Sequence, residues 1–495
     1  MSTSISAGVA DLLQDALAVY SDDPVAVASL QAYATRLSEP LRVAVAGMVK
    51  AGKSTLLNAI IGEEIAPTDT GECTRIVTWY RYGHTPRITL YPAVGEPRIL
   101  PFKRVDGRLV FVLGGSRAED VERLVVEWPS QGLRELTLID TPGIASLSGD
   151  VSARSTEFLT PADAPSEADA IIYLMRHLHA SDLRFLESFR DTEAGRSGTV
   201  NALAVLSRAD EIGAGRIDSL LSAGDIAERY RRDHSLRKLA LGVVPVAGLL
   251  AQSARSMRQA DFESLRLLSG LDRSERERLL LSTDRFIRAT VPEGLSAEAR
   301  ASLLERYGLF GIRLGVVLIR SGFDEPTRLA HELARRSGLD PLLDLVARQF
   351  QARAEALKAR TALVGLENLL RSVPREGAGG LAVGLERVQA NAHEFRELRL
   401  LATIRTTGIP LSNELAEEAE RLIGGWGAAP GIRVGLAPET PPEEILAEAR
   451  SYLKRWRTVA ENPLTDRAAL ETCRVVTRSC EGIVAEFSAL QLQRQ

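Results

Sequence analysis

The chain has 495 residues, of which 25% are charged and 45% hydrophobic, with a formal net charge of −4. That is enough for about three domain-sized units, and it leaves no global basic field to gather nucleic acid. Three cysteines (Cys73, Cys473, Cys480) make no disulfide framework and suit a reducing cytosol. The opening MSTSISAGVADLLQDALAVY has neither a basic n-region nor a long apolar run, so no signal peptide is expected. No window of eighteen apolar residues occurs, which excludes a spanning helix but not a helix lying on a membrane.

In chain order, residues 1–38 read as helical, because Val9, Leu12, Leu13, Ala16, Leu17 and Tyr20 share one face. Strand-like and helical runs then alternate to about residue 250. The strand candidates are RVAVAG, RITLYPA, RLVVEWP, RELTLID, AIIYLMR, NALAVLS and LGVVPVA. Such alternation predicts an α/β sheet with mostly parallel central strands and helices on both faces. RLVVEWP and RELTLID follow each other closely and read as a hairpin at one edge. Beyond 250 the strand signals stop. Residues 251–340 read as short helices and 342–373 as one helix which, if unbroken, would run about 48 Å. Further helices are expected over 381–402, 411–423, 442–460 and 465–490. The expected organisation is N-terminal helices (1–40) packing with an all-α helical bundle (342–495), an α/β head (41–250), and a helical extension of the head (251–341).

The chemistry begins where the first strand ends, in GMVKAGKST. Gly47 and Gly52 let a loop wrap tightly, so that the backbone of Val49, Lys50 and Ala51 can point N–H groups at phosphate oxygens. Lys53 would reach the β- and γ-phosphates, Ser54 would ligate Mg²⁺, and Thr55 follows in the first turn of a helix whose positive end faces the anion. This P-loop does not by itself choose between ATP and GTP. Strand RELTLID ends in Asp140-Thr141-Pro142-Gly143. A carboxylate there can hold Mg²⁺ through water, and the Gly143 N–H can contact the γ-phosphate. Strand NALAVLS ends in Ser207-Arg208-Ala209-Asp210, similar to the guanine-reading pattern [NT]KxD. Its aspartate accepts from the imino and amino groups of guanine, and adenine offers no such donor pair. The Arg208 stem can lie along the base where the pattern has lysine. Backbone near Val246 and Ala247, after the last strand, would close over it. Thr74 lies twenty residues past Ser54 and is a candidate Mg²⁺ ligand, although Thr68, Thr70 and Thr78 are neighbours that spacing alone does not exclude.

These stretches, with ECTRIVTW, SRADEIGAGRID and VVPVAGLLA and a helical half after them, resemble the bacterial dynamin-like GTPases. The resemblance covers essentially the whole chain. It implies a P-loop GTPase head using GTP/GDP and Mg²⁺, a helical neck or trunk, and nucleotide-linked association of heads. It also implies peripheral membrane work at the inner face of the plasma membrane and a possible association with a dynamin-like paralogue. The run Cys73-Thr74-Arg75 matches the family's switch, which selects Thr74 over its neighbours as the residue on Mg²⁺ and in catalysis. Lys50 stands at the loop position that carries a serine in dynamins and a cis-acting arginine in guanylate-binding relatives. There it would neutralise charge developing on the β–γ bridging oxygen. No glutamine follows DTPG, so water would be held by switch backbone and basal turnover would be slow.

Two other features draw attention. His177 and His179 have no third ligand at compatible spacing, so a metal site is not expected there. The loop GGWGAAPGIRVGLAP (424–438) carries Trp426, Ile432, Val434 and a single charge, Arg433. At a bundle tip such a loop would dip into the lipid interface, and otherwise it packs on the bundle.

Overall fold

A computed structural model of the protein describes residues 5–67, 76–105, 107–143, 158–159, 166–191, 201–437, 439–463 and 465–492. Eleven strands are present among them: β1 (Leu41–Gly47), β2 (Thr78–Tyr82), β3 (Arg87–Pro92), β4 (Arg98–Leu100), β5 (Phe102–Val105), β6 (Arg108–Phe111), β7 (Val121–Trp128), β8 (Leu136–Asp140), β9 (Ala170–Met175), β10 (Ala202–Ser207) and β11 (Val243–Val246). Nine form one sheet in the order β11-β10-β9-β1-β8-β2-β7-β3-β4, and β5 pairs only with β6. The run from β11 to β8 is parallel throughout. β9 and β10 are buried along their whole length, as strands covered on both faces must be. Val43 and Val45 of β1 face one core, and Ala44 and Ala46 face the other. The head is thus the α/β sheet expected, with helices on both faces.

The expected hairpin of RLVVEWP and RELTLID is corrected. β2 lies between β7 and β8, parallel to the first and antiparallel to the second, so that Trp79 pairs with Val125 on one side and Ile139 on the other. The two runs are close in sequence, but the 3₁₀ turn Gln131–Leu133 between them is pinned to the P-loop helix, with Ser130 Oγ donating to Ile61 O at 2.6 Å. β8 is therefore an inner strand.

Helices Gly248–Arg255, Gln259–Ser269, Ala297–Arg320 and Pro326–Arg336 bury Leu250, Leu265, Ile312 and Leu333 in the same core as Ala44 and Ala46. The N-terminal stripe is buried at Val9, Leu12, Leu13, Ala16 and Tyr20, against helix Ala354–Ser372. A buried carboxylate, Asp169, joins head and bundle. It accepts from Arg36 of the second N-terminal helix at 2.7 Å, from the Arg42 backbone N–H at 2.9 Å, and from Thr361 Oγ1 at 3.4 Å.

Two long helices of the sequence reading are each broken in two. Residues 342–373 form Leu339–Gln349 and Ala354–Ser372 around a 3₁₀ turn at Gln351–Arg353. Phe350 is wholly buried there, and the Arg353 guanidinium is drawn to the Ile423 and Gly424 carbonyls and to Gln349 Oε1. Burial lowers the Arg353 pKa to about 10. Residues 381–402 lie in Gly379–Asn391 and His393–Thr406, with Ala392 extended between them.

Of the two readings of the glycine-rich loop, packing on the protein describes Val434. In the 424–437 segment the Ala428 N–H donates to Arg348 O of helix Leu339–Gln349. Of the three candidate lipid contacts, Val434 is 2% exposed and belongs to the core, Ile432 is half-buried against Gly427, and Trp426 is open, at 53%. Arg433 is ion-paired with Glu397 and donates to Leu422 O at 2.7 Å. A buried valine side chain filling this corner should cost roughly 2 kcal/mol when truncated. Val434→Ala is thus expected to lower the urea midpoint, with Trp426→Ser near neutral. Equal effects would contradict this packing. No described helix is long and apolar enough to cross a membrane.

Candidate functional site

β1 delivers the chain into the loop at Gly47, where an added Cβ would meet Leu174 O at 2.4 Å. Gly52 caps the helix Lys53–Ile61 at φ 95°, and Lys50 takes φ 63°, a left-handed conformation that a side chain adopts only when its surroundings impose it. Lys50 is exposed, as is Val49. The Lys53 ammonium turns back over its own loop, 3.3 Å from Gly47 O and 3.4 Å from Met48 O. Desolvation lowers its pKa against the opposing pull of Asp140. A poorly solvated ammonium with only long bonds to carbonyls is set to exchange them for phosphate oxygens.

β8 runs beside β1, and its last residue, Asp140, pairs with Val45, two residues before β1 ends at Gly47, which brings Asp140 to the loop. Ser54 Oγ donates to Asp140 Oδ2 at 3.0 Å. Gly143 passes so near that an added Cβ would stand 2.7 Å from a Val49 methyl. Burial pushes the Asp140 carboxyl up to about 6, with Lys53 and Ser54 acting in the opposite direction. A hydroxyl and a carboxylate in contact form the hard-oxygen donor set that suits Mg²⁺. The raised pKa fixes a sign. Protonation favours the fold, so stability contributed by this group is complete below about pH 3.8 and is lost as pH rises through about 6. Asp140→Asn should therefore raise the melting temperature of the ligand-free protein in chelator at pH 7.5, by a margin that shrinks toward pH 4. A constant margin would contradict the shift.

The far end of the site lies between the ends of β10 and β11. A cleft open to solvent runs there from Ala51, Gly52 and Thr55 to Asp210 and Val246. Ser207 Oγ donates to Met175 O at 3.2 Å, fixing the end of β10 to β9. Arg208 has φ 53° and lines the cleft. Asp210 is 9% exposed, and its Oδ1 has no hydrogen-bond partner. Burial raises its pKa, with Glu211 adding to the effect. A buried acceptor without a donor is costly, so it marks where a ligand donor belongs.

The fold thus brings together Gly47, Val49, Lys50, Ala51, Gly52, Lys53, Ser54, Thr55, Asp140, Gly143, Ser207, Arg208, Asp210 and Val246. Ala247 is not part of the cleft wall: it is buried and its N–H donates to Ser337 O at 2.8 Å, while Gly248 and Leu249 line the cleft instead. Thr74 lies outside the described residues, as do Cys73, Thr68 and Thr70. Thr78 is described, and it is buried in β2 opposite Asp140. Sequence reasoning missed Glu211 and Leu249, which stand directly beside its motifs. His177 and His179 contact each other edge to face, and no cluster of three metal-ligating side chains occurs among the described residues. Cys473 and Cys480 are buried and free.

The family described as "Dynamin family" matches residues 43–204, from β1 into β10. The isoniazid-induced protein IniC of Mycobacterium tuberculosis is 41% identical over 454 residues, which is 92% of this chain and 92% of the relative. The bacterial dynamin-like protein of Nostoc punctiforme is 29% identical over 214 residues, 40% of this chain and 28% of the relative. A solved structure described as "An oligomerised bacterial dynamin pair provides a mechanism for the long-range sensing and tethering of membranes" aligns with 98% of this chain and 74% of that chain, at 14% identity and TM-score 0.30, too loose a fit to define an arrangement of domains. With a nucleotide-type cleft on a mostly parallel sheet, a helical second half, and an IniC similarity that spans both, this chain belongs to the dynamin family.

Proposed function

We propose that the protein is a GTPase that binds GTP and Mg²⁺, hydrolyses GTP slowly to GDP and phosphate, and couples the nucleotide state to association of its heads at a membrane. The observation that carries the guanine reading is the unpartnered Asp210 Oδ1 at the base end of the cleft. Guanine presents two adjacent donors to such a carboxylate, and adenine would leave it buried and unpaired.

The remaining roles follow from position. Lys53 exchanges its weak carbonyl contacts for β- and γ-phosphate oxygens, and the N-terminus of helix Lys53–Ile61 adds its positive end. Ser54 and Asp140, the latter through water, would hold Mg²⁺, which when bound neutralises phosphate charge. The Gly143 N–H would meet the γ-phosphate. Lys50 would neutralise charge on the bridging oxygen, and Thr74 would order the switch around the γ-phosphate and water.

Membrane work at the cytoplasmic face, self-association and pairing with a dynamin-like paralogue rest on the family resemblance. A second reading is a slow GTP-regulated switch that docks such a partner without touching lipid. It is favoured by one observation: Val434 and Arg433, two residues of the loop with the most membrane-like composition, are packed into the protein. Liposome co-sedimentation with GTP, GDP and no nucleotide, with and without a dynamin-like paralogue, separates the two. Nucleotide-dependent pelleting of the chain alone supports membrane work, whereas partner binding without pelleting supports the switch.

A further inference from the structure

Glu211 follows the base-reading Asp210 directly, lines the cleft and joins two strand ends. Its Oε1 accepts from Arg208 at 2.5 Å and its Oε2 from Arg176 at 2.5 Å. Arg208 leaves the end of β10 at φ 53°, and Arg176 directly follows β9. Both carboxylate oxygens are thus engaged by arginines from neighbouring parallel strands, beside the buried Asp210.

We propose that Glu211 is a positioning residue for the base: anchored by Arg176, it holds the Arg208 guanidinium so that the arginine stem lies along the cleft wall on which guanine rests. The proposal deepens the guanine-nucleotide reading and rests on it. Glu211 contributes order rather than stability. Arginine is long and rotamer-rich, and a ligand that must order it loses affinity, so an arginine already held in place binds at smaller entropic cost. Arginine's planar fork suits the task, because it can keep a fixed ion pair on one side while its stem packs against a flat base. All three side chains are substantially solvent-exposed, from 38% for Arg208 to 51% for Arg176. Exposed ion pairs contribute little to folding, so the effect should appear in ligand binding and not in melting temperature. The two arginines also offset the negative charge that Glu211 places next to Asp210. An unpaired glutamate there would oppose the anionic form that guanine requires.

The test uses the full chain with GDP, inosine diphosphate (which lacks the exocyclic amino group) and ADP. Glu211→Ala is expected to weaken GDP and inosine diphosphate by the same factor, about fivefold, through faster release. KM for GTP should rise with kcat unchanged, because the phosphate end is untouched. Glu211→Gln, which keeps one acceptor, should lose less. Arg176→Met should lose less than Glu211→Ala, and the double variant no more than Glu211→Ala alone. The ligand-free melting temperature should stay constant. Unchanged GDP affinity in Glu211→Ala would overturn the proposal. So would a loss larger for GDP than for inosine diphosphate, since Glu211 would then read the base itself, or a loss accompanied by lower melting temperature. If the parent binds ADP as tightly as GDP, the underlying guanine reading fails, whatever the Glu211 variants do.

Discussion

Lys53→Ala is expected to abolish tight guanine nucleotide binding, with a loss of at least about thirtyfold. Truncating one partner of a desolvated charge pair costs roughly 2–5 kcal/mol, or about 30- to several-thousand-fold in Kd. Lys53 meets that condition: desolvation already lowers its pKa, and its present contacts are carbonyls at 3.3 and 3.4 Å. The free protein loses little with it, so the variant should fold and keep its melting temperature. Thr74→Ala should behave differently, sparing affinity and removing turnover, because it would order the switch rather than hold ground-state phosphate. Lys50→Ala tests the loop charge between these extremes, with lower turnover at constant affinity if the lysine acts on the transition state. Isothermal titration with GDP and single-turnover hydrolysis separate the three. Retained GDP affinity in Lys53→Ala would remove the P-loop from the account.

Asp210→Asn is expected to weaken GDP by about a hundredfold and to improve the relative binding of xanthosine diphosphate. Two charge-assisted bonds to guanine, each on the order of 1.5–3 kcal/mol, are lost or reversed when the carboxylate becomes an amide. The amide can donate where xanthine places an acceptor. Burial has already raised the Asp210 pKa, so the neutral variant should be at least as stable as the parent without ligand. Competition between the two diphosphates reads the exchange directly. An unchanged preference would mean that the unpartnered oxygen is not the base reader.

What was legible in the sequence was local. The P-loop can be read because each feature is set within nine residues: two glycines, a lysine and a hydroxyl at a strand-to-helix junction. The ends of β8 and β10 were legible because parallel strands put their C-terminal residues at one edge of the sheet, so Asp140 and Asp210 follow from the apolar runs before them. Pairing was not. β2 enters between β7 and β8 from about forty residues upstream of β7, and nothing in RLVVEWP or RELTLID announces an inserted strand. Helix breaks were hidden for a related reason. The turn at Gln351–Arg353 is held by carbonyls of residues 423 and 424, a tertiary cause that local propensity does not contain. The loop at 424–437 stayed open between two readings, since a glycine-rich apolar loop reads the same whether it meets lipid or the protein's own core. Glu211 went unread because its meaning depends on Arg176, a residue that follows another strand.

The central claim is that the cleft from Gly52 to Asp210 is a guanine nucleotide site, and displacement of fluorescent GDP from the 495-residue chain in Mg²⁺ tests it most directly. GTP and GDP should displace the probe at low concentration, while ATP at a thousandfold excess should not, with the preference relaxed in Asp210→Asn. Equal displacement by ATP and GTP in the parent, or no probe binding at all, would contradict it.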